Sequence, residues 1–234
     1  MKWLALATDF DGTLAHDGVV PDVTLQALAR ARQCGLVTIL VTGRELRDFG
    51  PLGFDLKWFN LVVAENGAVL FDPATAMESL LAPAPSADFV EELRRQNVSP
   101  LSVGMSIVAT EEPHEVIVIE TIKRLGLELA VTFNKGAVMI LPAGVNKASG
   151  LSAALEKLDL PADAVVGVGD AENDHAFLKQ CGLAVAVANA LPSVKESARL
   201  VTQGKAGEGV AELISSILND ELESLHRRAA AATS

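Results

Sequence analysis

Short apolar runs that stop at an acidic residue, a threonine or a glycine constrain the fold of this chain most. The first run ends at Asp9, the second at Thr42 and a later one at Gly169. Runs of this length, apolar throughout, are typical of strands buried on both faces of a parallel sheet. The predicted strands are Trp3–Thr8, Leu36–Val41, Leu61–Ala64, Ala164–Val168 and Leu183–Val187.

Stretches with helical periodicity separate these runs. The first begins after Pro21, carries apolar residues at positions 23, 25, 28 and 31, and stops at Gly35. The other predicted helices are Lys147–Leu158, Asp174–Gln180, a short one after Pro192, and one from about Gly207 to Leu225. Strands that alternate with helices predict an α/β fold, a Rossmann-like parallel sheet with helices on both faces.

Residues 73–142 interrupt this pattern. Predicted helices lie at Asp88–Gln96 and Pro113–Leu125, with Val116, Ile119 and Ile122 on one face of the second. Predicted strands are Leu101–Ala109, Leu129–Thr132 and Ala137–Leu141, the last two joined by a turn at Asn134-Lys135-Gly136. We interpret this segment as a small α/β insert in a core formed by residues 1–72 and 143–234.

Charge and composition exclude several classes of protein. A formal net charge of −11, without a stripe of Lys and Arg among aromatic residues, argues against nucleic acid as a partner. Because the run before Asp9 is short and no other apolar run could cross a bilayer, we expect no membrane association. Two lone cysteines form no disulfide framework and are typical of a cytoplasmic protein.

The segment Asp9-Phe10-Asp11-Gly12-Thr13 follows the first predicted strand. In an open α/β sheet, ligands bind at the carboxyl ends of the strands. Gly12 allows a sharp turn, so the two carboxylates can point into one small volume. This is costly unless a cation or a substrate uses them. The alternative is an Asp-Gly turn that caps a helix.

Two further positions could bind an anion. The Thr42 hydroxyl and the flexible backbone at Gly43 can donate hydrogen bonds to a phosphate oxygen, although Thr42 could equally be a helix N-cap. Lys147 lies in the first turn of a predicted helix, where a cation opposes the helix dipole. Such a position suggests that Lys147 neutralises acids or a phosphate; a solvated lysine is the alternative.

The segment from Gly167 to Asp174 follows the fourth predicted strand. Asp170 and Asp174 offer hard oxygen ligands that suit Mg²⁺. A dinucleotide site is disfavoured because the third glycine of that motif is missing and the acids would repel a pyrophosphate. Together with Asp9 and Asp11, these residues predict a divalent-cation site at the sheet edge.

In this order, the segments Asp-x-Asp-Gly-Thr, Thr-Gly-Arg, Lys and Gly-Asp-x-x-Asn-Asp resemble the four motifs of the haloacid dehalogenase-like hydrolases. The insert lies between the second and third, as in the subgroup with a C2-type cap, and it is most similar to archaeal-type phosphoglycolate phosphatases and Cof-like sugar phosphatases. The resemblance implies that Asp9 is the nucleophile, Asp11 the general acid/base, and Thr42, Gly43 and Lys147 phosphoryl ligands. It also implies that Asp9, the Asp11 carbonyl, Asp170 and Asp174 surround Mg²⁺, and that Asn173 contacts the site.

These features predict a Mg²⁺-dependent phosphatase that acts on phosphoglycolate or a sugar phosphate through an aspartyl-phosphate. A phosphomutase and a catalytically silent metabolite-binding module are the alternatives. We expect Asn134 and Lys135 to recognise the leaving group of the substrate. The alternative is that they form only a solvated turn. His175 could tune the substrate or pack in the core. The sequence does not determine the oligomeric state, and a monomer and a homodimer both remain possible.

Overall fold

The computed structural model describes residues 2–222, whose strands form one sheet of eight and one of four. The strands are β1 Ala5–Thr8, β2 Val37–Val41, β3 Leu61–Ala64, β4 Val69–Asp72, β5 Met77–Leu80, β6 Ser102–Val103, β7 Val108–Glu111, β8 Leu129–Asn134, β9 Ala137–Pro142, β10 Val165–Gly169, β11 Leu183–Ala186 and β12 Leu200–Val201. The helices are α1 Asp22–Gln33, α2 Phe49–Leu52, α3 Ala87–Arg95, α4 Glu115–Leu125, α5 Lys147–Leu158, α6 His175–Gln180, α7 Pro192–Ser197 and α8 Ala206–Leu218.

The large sheet has the order β12-β11-β10-β1-β2-β3-β4-β5, and its first six strands are parallel. β1 lies between β10 and β2, and all four of its residues are buried. Two helix pairs, α1 with α8 and α5 with α6, pack with this sheet. The predicted α/β fold is therefore confirmed, and the segments that follow β1, β2 and β10 meet at one edge.

The insert begins later than the sequence indicated. We predicted a start at Pro73, but β5 pairs with β4 in an antiparallel hairpin that extends the large sheet. The Asp72 carboxylate accepts the Ala74 N–H at 3.0 Å and helps to close the hairpin turn. β5 is mostly exposed, so it lacks the apolar run by which the inner strands were found. Residues 73–80 therefore belong with the large sheet.

The small sheet has the order β6-β7-β9-β8 and is antiparallel throughout. Its apolar core includes Phe89 and Leu93 of α3, Val118 of α4, and Val138 of β9. The single predicted strand Leu101–Ala109 was wrong. The chain turns at residues 104–107 and forms two strands, because the Gly104 N–H bonds to the Ile107 carbonyl at 2.8 Å.

The buried face of α4 is not the apolar face that carries Val116, Ile119 and Ile122. Val116 is 57% exposed and Ile119 is 36% exposed, whereas Ile122 is 9% exposed. The helix packs through Val118, Thr121 and Ile122. Apolar residues occur nearly all round this helix, so periodicity alone did not identify the face that packs against α3.

The predicted helix Lys147–Leu158 coincides with α5. The last helix, predicted to reach Leu225, ends at Leu218, and residues 223–225 lie outside the described part. No helix within residues 2–222 combines the length and apolar character needed to span a bilayer.

Candidate active site

Three aspartates from separate parts of the chain meet at the edge of the large sheet. Asp9 follows β1, Asp170 follows β10, and Asp174 precedes α6. All three are buried, and each offers a carboxylate oxygen within 4.8 Å of the others. Burying three carboxylates together is unfavourable unless cations or hydrogen bonds compensate for the lost hydration.

Lys147 supplies one compensating cation. Its ammonium donates to Asp9 Oδ1 at 2.6 Å and to Asp174 Oδ1 at 2.6 Å, and its side chain is 1% exposed. The lysine is the first residue of α5, where Asn146 caps the helix by accepting the Ala148 and Ser149 N–H groups. Lys147 is thus a buried charge held by two carboxylates, and the solvated-lysine alternative is wrong.

Burial and charge perturb both members of the Lys147–Asp9 pair. Burial raises the pKa of Asp9 to about 8; Lys147 opposes this rise, whereas Asp174 and Asp170 add to it. For Lys147, burial lowers the pKa, but Asp174 and Asp9 outweigh that effect and raise it above the usual value for lysine. Lys147 therefore remains protonated among the three carboxylates.

Asp174 is fixed by the backbone of the turn that precedes it. Its Oδ2 accepts the Asp170 N–H at 2.8 Å and the Ala171 N–H at 3.0 Å, while Oδ1 faces Lys147. Gly169 permits this close approach, since a Cβ there would lie 2.6 Å from Asp174 Oδ2. The glycine predicted to allow close backbone contact thus makes room for a carboxylate.

Both oxygens of Asp170 have partners. The Thr13 hydroxyl donates to Oδ1 at 2.7 Å, and the Lys135 ammonium donates to Oδ2 at 2.6 Å. Gly12 has φ +87°, and a Cβ at that position would overlap the Asp170 carboxylate and lie 2.7 Å from Lys135 Nζ. Glycine is therefore required here both by its backbone conformation and by lack of space.

The Asp11 side chain is not part of the group of three whose oxygens lie within 4.8 Å of one another. Its carboxylate accepts two hydrogen bonds from the Arg44 guanidinium, both at 2.7 Å. Only the Asp11 backbone carbonyl faces the cluster, where Lys135 Nζ lies 3.3 Å away. The two predicted carboxylates, Asp9 and Asp11, are thus in different environments: Asp9 is buried, and Asp11 is 41% exposed.

The residues after β2 contact Asp11 and lie near Asn173. Thr42 is fully buried, and its hydroxyl accepts the Arg44 N–H at 3.1 Å. A Cβ at Gly43 would lie 3.8 Å from the Asn173 amide nitrogen, so these two residues are neighbours. Asn173 donates to the Asn66 side-chain oxygen at 3.2 Å, and its own buried Oδ1 has no hydrogen-bond partner among residues 2–222. A buried polar atom of this kind is a candidate ligand contact.

The small sheet lies over the site through the turn between β8 and β9. β8 packs beside residues 172–174, and Lys135 extends from the turn to Asp170. Asn134 ends β8, and its buried Oδ1 has no hydrogen-bond partner in the described part of the chain. His175 lies 3.1 Å from the Ser197 hydroxyl and 3.4 Å from that of Ser193, so it links α6 to α7.

A cleft of about 530 Å³ opens beside the cluster. Its polar lining includes Asp11, Arg44, Lys135 and Asn189. The Asn189 side chain donates to the Gly12 carbonyl at 2.7 Å and accepts the Ala206 N–H at 2.6 Å. The lining also holds Asp17 and Asp170, so Arg44 and Lys135 are the lining cations that an anionic ligand would contact, beside three acids.

Four site residues were not assigned from sequence: Thr13, Arg44, Asn66 and Asn189. Thr13 and Arg44 belong to the segments Asp-x-Asp-Gly-Thr and Thr-Gly-Arg, so their positions in these motifs could have identified them as site residues. Asn66 and Asn189 lie in no such motif. Asn66 reaches the site on a short 3₁₀ turn after β3. Asn189 reaches it on a loop, where it meets residue 12 across 177 positions of sequence.

The donors at this site fit Mg²⁺. Carboxylate and carbonyl oxygens are the ligands that this hard cation prefers, and Asp9, Asp170, Asp174 and the Asp11 carbonyl provide them. Two ammonium groups already lie against these oxygens. When Asp9, Asp170 and Asp174 are all ionised, three negative charges face these two ammonium groups, and a divalent cation would favour the ionised form of Asp9.

Comparisons with known proteins agree with the motifs and the fold. The haloacid dehalogenase-like hydrolase family matches residues 6–121 and 86–214. A phosphoglycolate phosphatase of Methanothermobacter thermautotrophicus is 30% identical over 90% of this chain and 96% of its own length. The 5-amino-6-(5-phospho-D-ribitylamino)uracil phosphatase of Bacillus subtilis is 28% identical over 89% of this chain and 93% of its own.

Among solved structures, a haloacid dehalogenase-like hydrolase from Bacteroides thetaiotaomicron superimposes with a TM-score of 0.80 at 22% identity. The match covers 92% of this chain and 99% of that one. Likeness at this identity concerns the fold, and the family match covers both the large sheet and the small one. The chain therefore belongs to the haloacid dehalogenase-like hydrolases and is a phosphatase of that superfamily.

Proposed function

We propose that this enzyme is a Mg²⁺-dependent phosphomonoester hydrolase that transfers the phosphoryl group to Asp9 and then to water. The observation that carries the proposal is the Lys147 ammonium, which lies 2.6 Å from Asp9 and 2.6 Å from Asp174 at the carboxyl ends of the strands. A buried cation beside a carboxylate nucleophile is what an incoming dianionic phosphoryl group requires.

Asp9 attacks phosphorus through a carboxylate oxygen while the bond from phosphorus to the leaving-group oxygen breaks. Asp11 donates a proton to that oxygen. It then takes a proton from the water molecule that attacks the aspartyl-phosphate, which releases inorganic phosphate and restores the Asp9 carboxylate. Arg44 donates to both oxygens of Asp11, so Asp11 must release one of these contacts before it can carry the proton.

Other residues bind and orient the phosphoryl group. Lys147, the Thr42 hydroxyl and the backbone at Gly43 are its proposed ligands. The buried Asn173 Oδ1, which has no partner among residues 2–222, is a further proposed contact. Asp9, Asp170, Asp174 and the Asp11 carbonyl would hold Mg²⁺. When bound, Mg²⁺ supplies positive charge that offsets the repulsion between the phosphate and the aspartates.

The cleft favours a small leaving group with an anionic part. Arg44 and Lys135 are the cations in a lining that also holds Asp11, Asp17 and Asp170. A volume of about 530 Å³ suits a metabolite rather than a macromolecule. Phosphoglycolate, the substrate named for a 30% identical relative, carries such a carboxylate. A sugar phosphate is the second candidate, and a cytoplasmic location remains our prediction.

Release of inorganic phosphate from a panel containing phosphoglycolate, hexose phosphates and p-nitrophenyl phosphate tests this function. We expect phosphoglycolate to give the highest kcat/KM, excess EDTA to abolish release, and Asp9→Asn to fold normally but release no phosphate. Asp11→Asn should be slowed by about 10²–10⁴-fold. Isomerised sugar phosphate without free phosphate would instead indicate a phosphomutase. Binding without turnover of any ester would indicate a silent module.

A further inference from the structure

Lys135 lies at the tip of the turn between β8 and β9, and it reaches into the site from the small sheet. Its backbone φ is +49° and that of Gly136 is +85°, and two successive positive φ angles are typical of a two-residue β-hairpin turn. The ammonium lies 2.6 Å from Asp170 Oδ2 and 3.3 Å from the Asp11 carbonyl oxygen. Those are two of the oxygens that would hold Mg²⁺.

An ammonium group and a metal ion compete for these two oxygens. A bound Mg²⁺ sits about 2.1 Å from each ligand oxygen. An ion that takes Asp170 Oδ2 and the Asp11 carbonyl oxygen as ligands competes with Lys135 Nζ for the same two acceptors. Repulsion between the two positive charges adds to this competition.

The two lysines of the site differ in how readily they can leave. Lys147 is 1% exposed and held by two carboxylates, whereas the Lys135 side chain is 46% exposed and makes one ion pair. Water can replace the contact of Lys135 but not that of Lys147. Lys135 is therefore the cation that an arriving metal ion would displace.

We propose that Lys135 is a tethered cation that competes with the divalent metal for Asp170 and the Asp11 carbonyl. Metal binding expels the ammonium from these oxygens into the adjoining cleft, where it faces the leaving group. Lys135 then contacts the leaving group only when the metal site is filled. The position of the Lys135 side chain therefore differs between the metal-free and the metal-bound enzyme. This inference rests on the proposed function for the identity of the metal ligands.

The test is Mn²⁺ affinity, measured by isothermal titration calorimetry without substrate at fixed ionic strength. We compare the wild type with Lys135→Asn, because asparagine is neutral and adopts positive φ more easily than most residues. We expect Lys135→Asn to bind Mn²⁺ about tenfold more tightly. Lys123→Asn makes the same charge change on the exposed face of α4 and should bind as the wild type does.

A second readout follows from the reciprocity of linked binding. Saturating Mn²⁺ should increase the acetylation rate of Lys135, measured by mass spectrometry, and leave that of Lys123 unchanged. An unchanged Mn²⁺ affinity in Lys135→Asn, or a weaker one, overturns the competition. An unchanged acetylation rate of Lys135 does so as well.

Asp170→Asn separates failure of this inference from failure of the proposed function. If the wild type binds Mn²⁺ and Asp170→Asn does not, while Lys135→Asn binds like the wild type, only the competition is wrong. If the wild type binds no Mn²⁺, both the metal dependence and the competition are overturned. If Lys135→Asn binds Mn²⁺ more tightly but the wild type hydrolyses no ester, the competition between Lys135 and the metal is supported and the proposed hydrolase activity is rejected.

Discussion

Thr13 holds one oxygen of Asp170 and leaves the other to face the cluster. Its hydroxyl is fully buried and donates to Asp170 Oδ1 at 2.7 Å. A carboxylate that can rotate freely is a poorer metal ligand than one held by a neighbouring donor. The threonine that closes the Asp-x-Asp-Gly-Thr segment thus orients a proposed ligand that lies 157 positions away.

Thr13→Val keeps the shape of the side chain and removes the donor. We expect the Mg²⁺ concentration that gives half-maximal activity to rise about tenfold or more, because Asp170 loses its fixed orientation. Thr13→Ser retains a hydroxyl and should stay close to the wild type. Equal Mg²⁺ dependence in all three proteins would show that Thr13 does not act through Asp170.

Glu65 joins the hairpin of β6 and β7 to the large sheet. The residue follows β3 and is 2% exposed, and its carboxylate accepts the N–H groups of Met105, Ser106 and Ile107 at 2.9, 2.8 and 2.9 Å. A second link lies nearby, where the Ser102 hydroxyl donates to Glu45 at 2.6 Å. This end of the small sheet is therefore fixed to the large one.

Glu65→Gln replaces an oxygen acceptor by an NH₂ group that would face backbone N–H donors. We expect the free energy of unfolding, measured in urea, to fall by about 1.5 kcal/mol or more, since hydrogen bonds to a charged group are lost inside the protein. The matched control is Glu156→Gln on the exposed side of α5, which should change stability little. A similar loss in both variants would contradict the anchoring role.

At the scale of the whole molecule, the excess of acidic groups couples stability to cations. The net charge is −11, and three buried carboxylates meet at one sheet edge. Cations stabilise the folded state in two ways, by screening the repulsion between acidic groups and by binding at the three carboxylates. Only the second effect depends on Asp170.

We expect MgCl₂ to raise the melting temperature above that in NaCl of equal ionic strength. A ligand at about 100 times its dissociation constant stabilises by about 2.7 kcal/mol, which corresponds to about 5 °C or more for a chain of this size. Differential scanning fluorimetry measures the shift, and Asp170→Asn should lose most of it. Equal shifts in the two salts would argue against a specific site.

The sequence alone determined the α/β core and the positions of the charged groups at its edge. Buried parallel strands need apolar side chains on both faces, so β1, β2, β3, β10 and β11 could be found as short local runs. The carboxyl ends of such strands lie at one edge, which is why Asp9, Thr42 and Asp170 could be placed together before the fold was known.

Tertiary structure decided which of these groups pair and which faces are buried. Arg44 binds Asp11, Thr13 binds Asp170, and Glu65 binds the residue 104–107 turn, all through contacts between segments distant in sequence. The exposed edge strand β5 and the buried side of α4 likewise depend on what packs against them. The local sequence pattern indicates whether a segment is a strand or a helix. The partner of a side chain is fixed only when folding brings distant segments together. The energy of such a contact depends on both segments, so it cannot be deduced from either one alone.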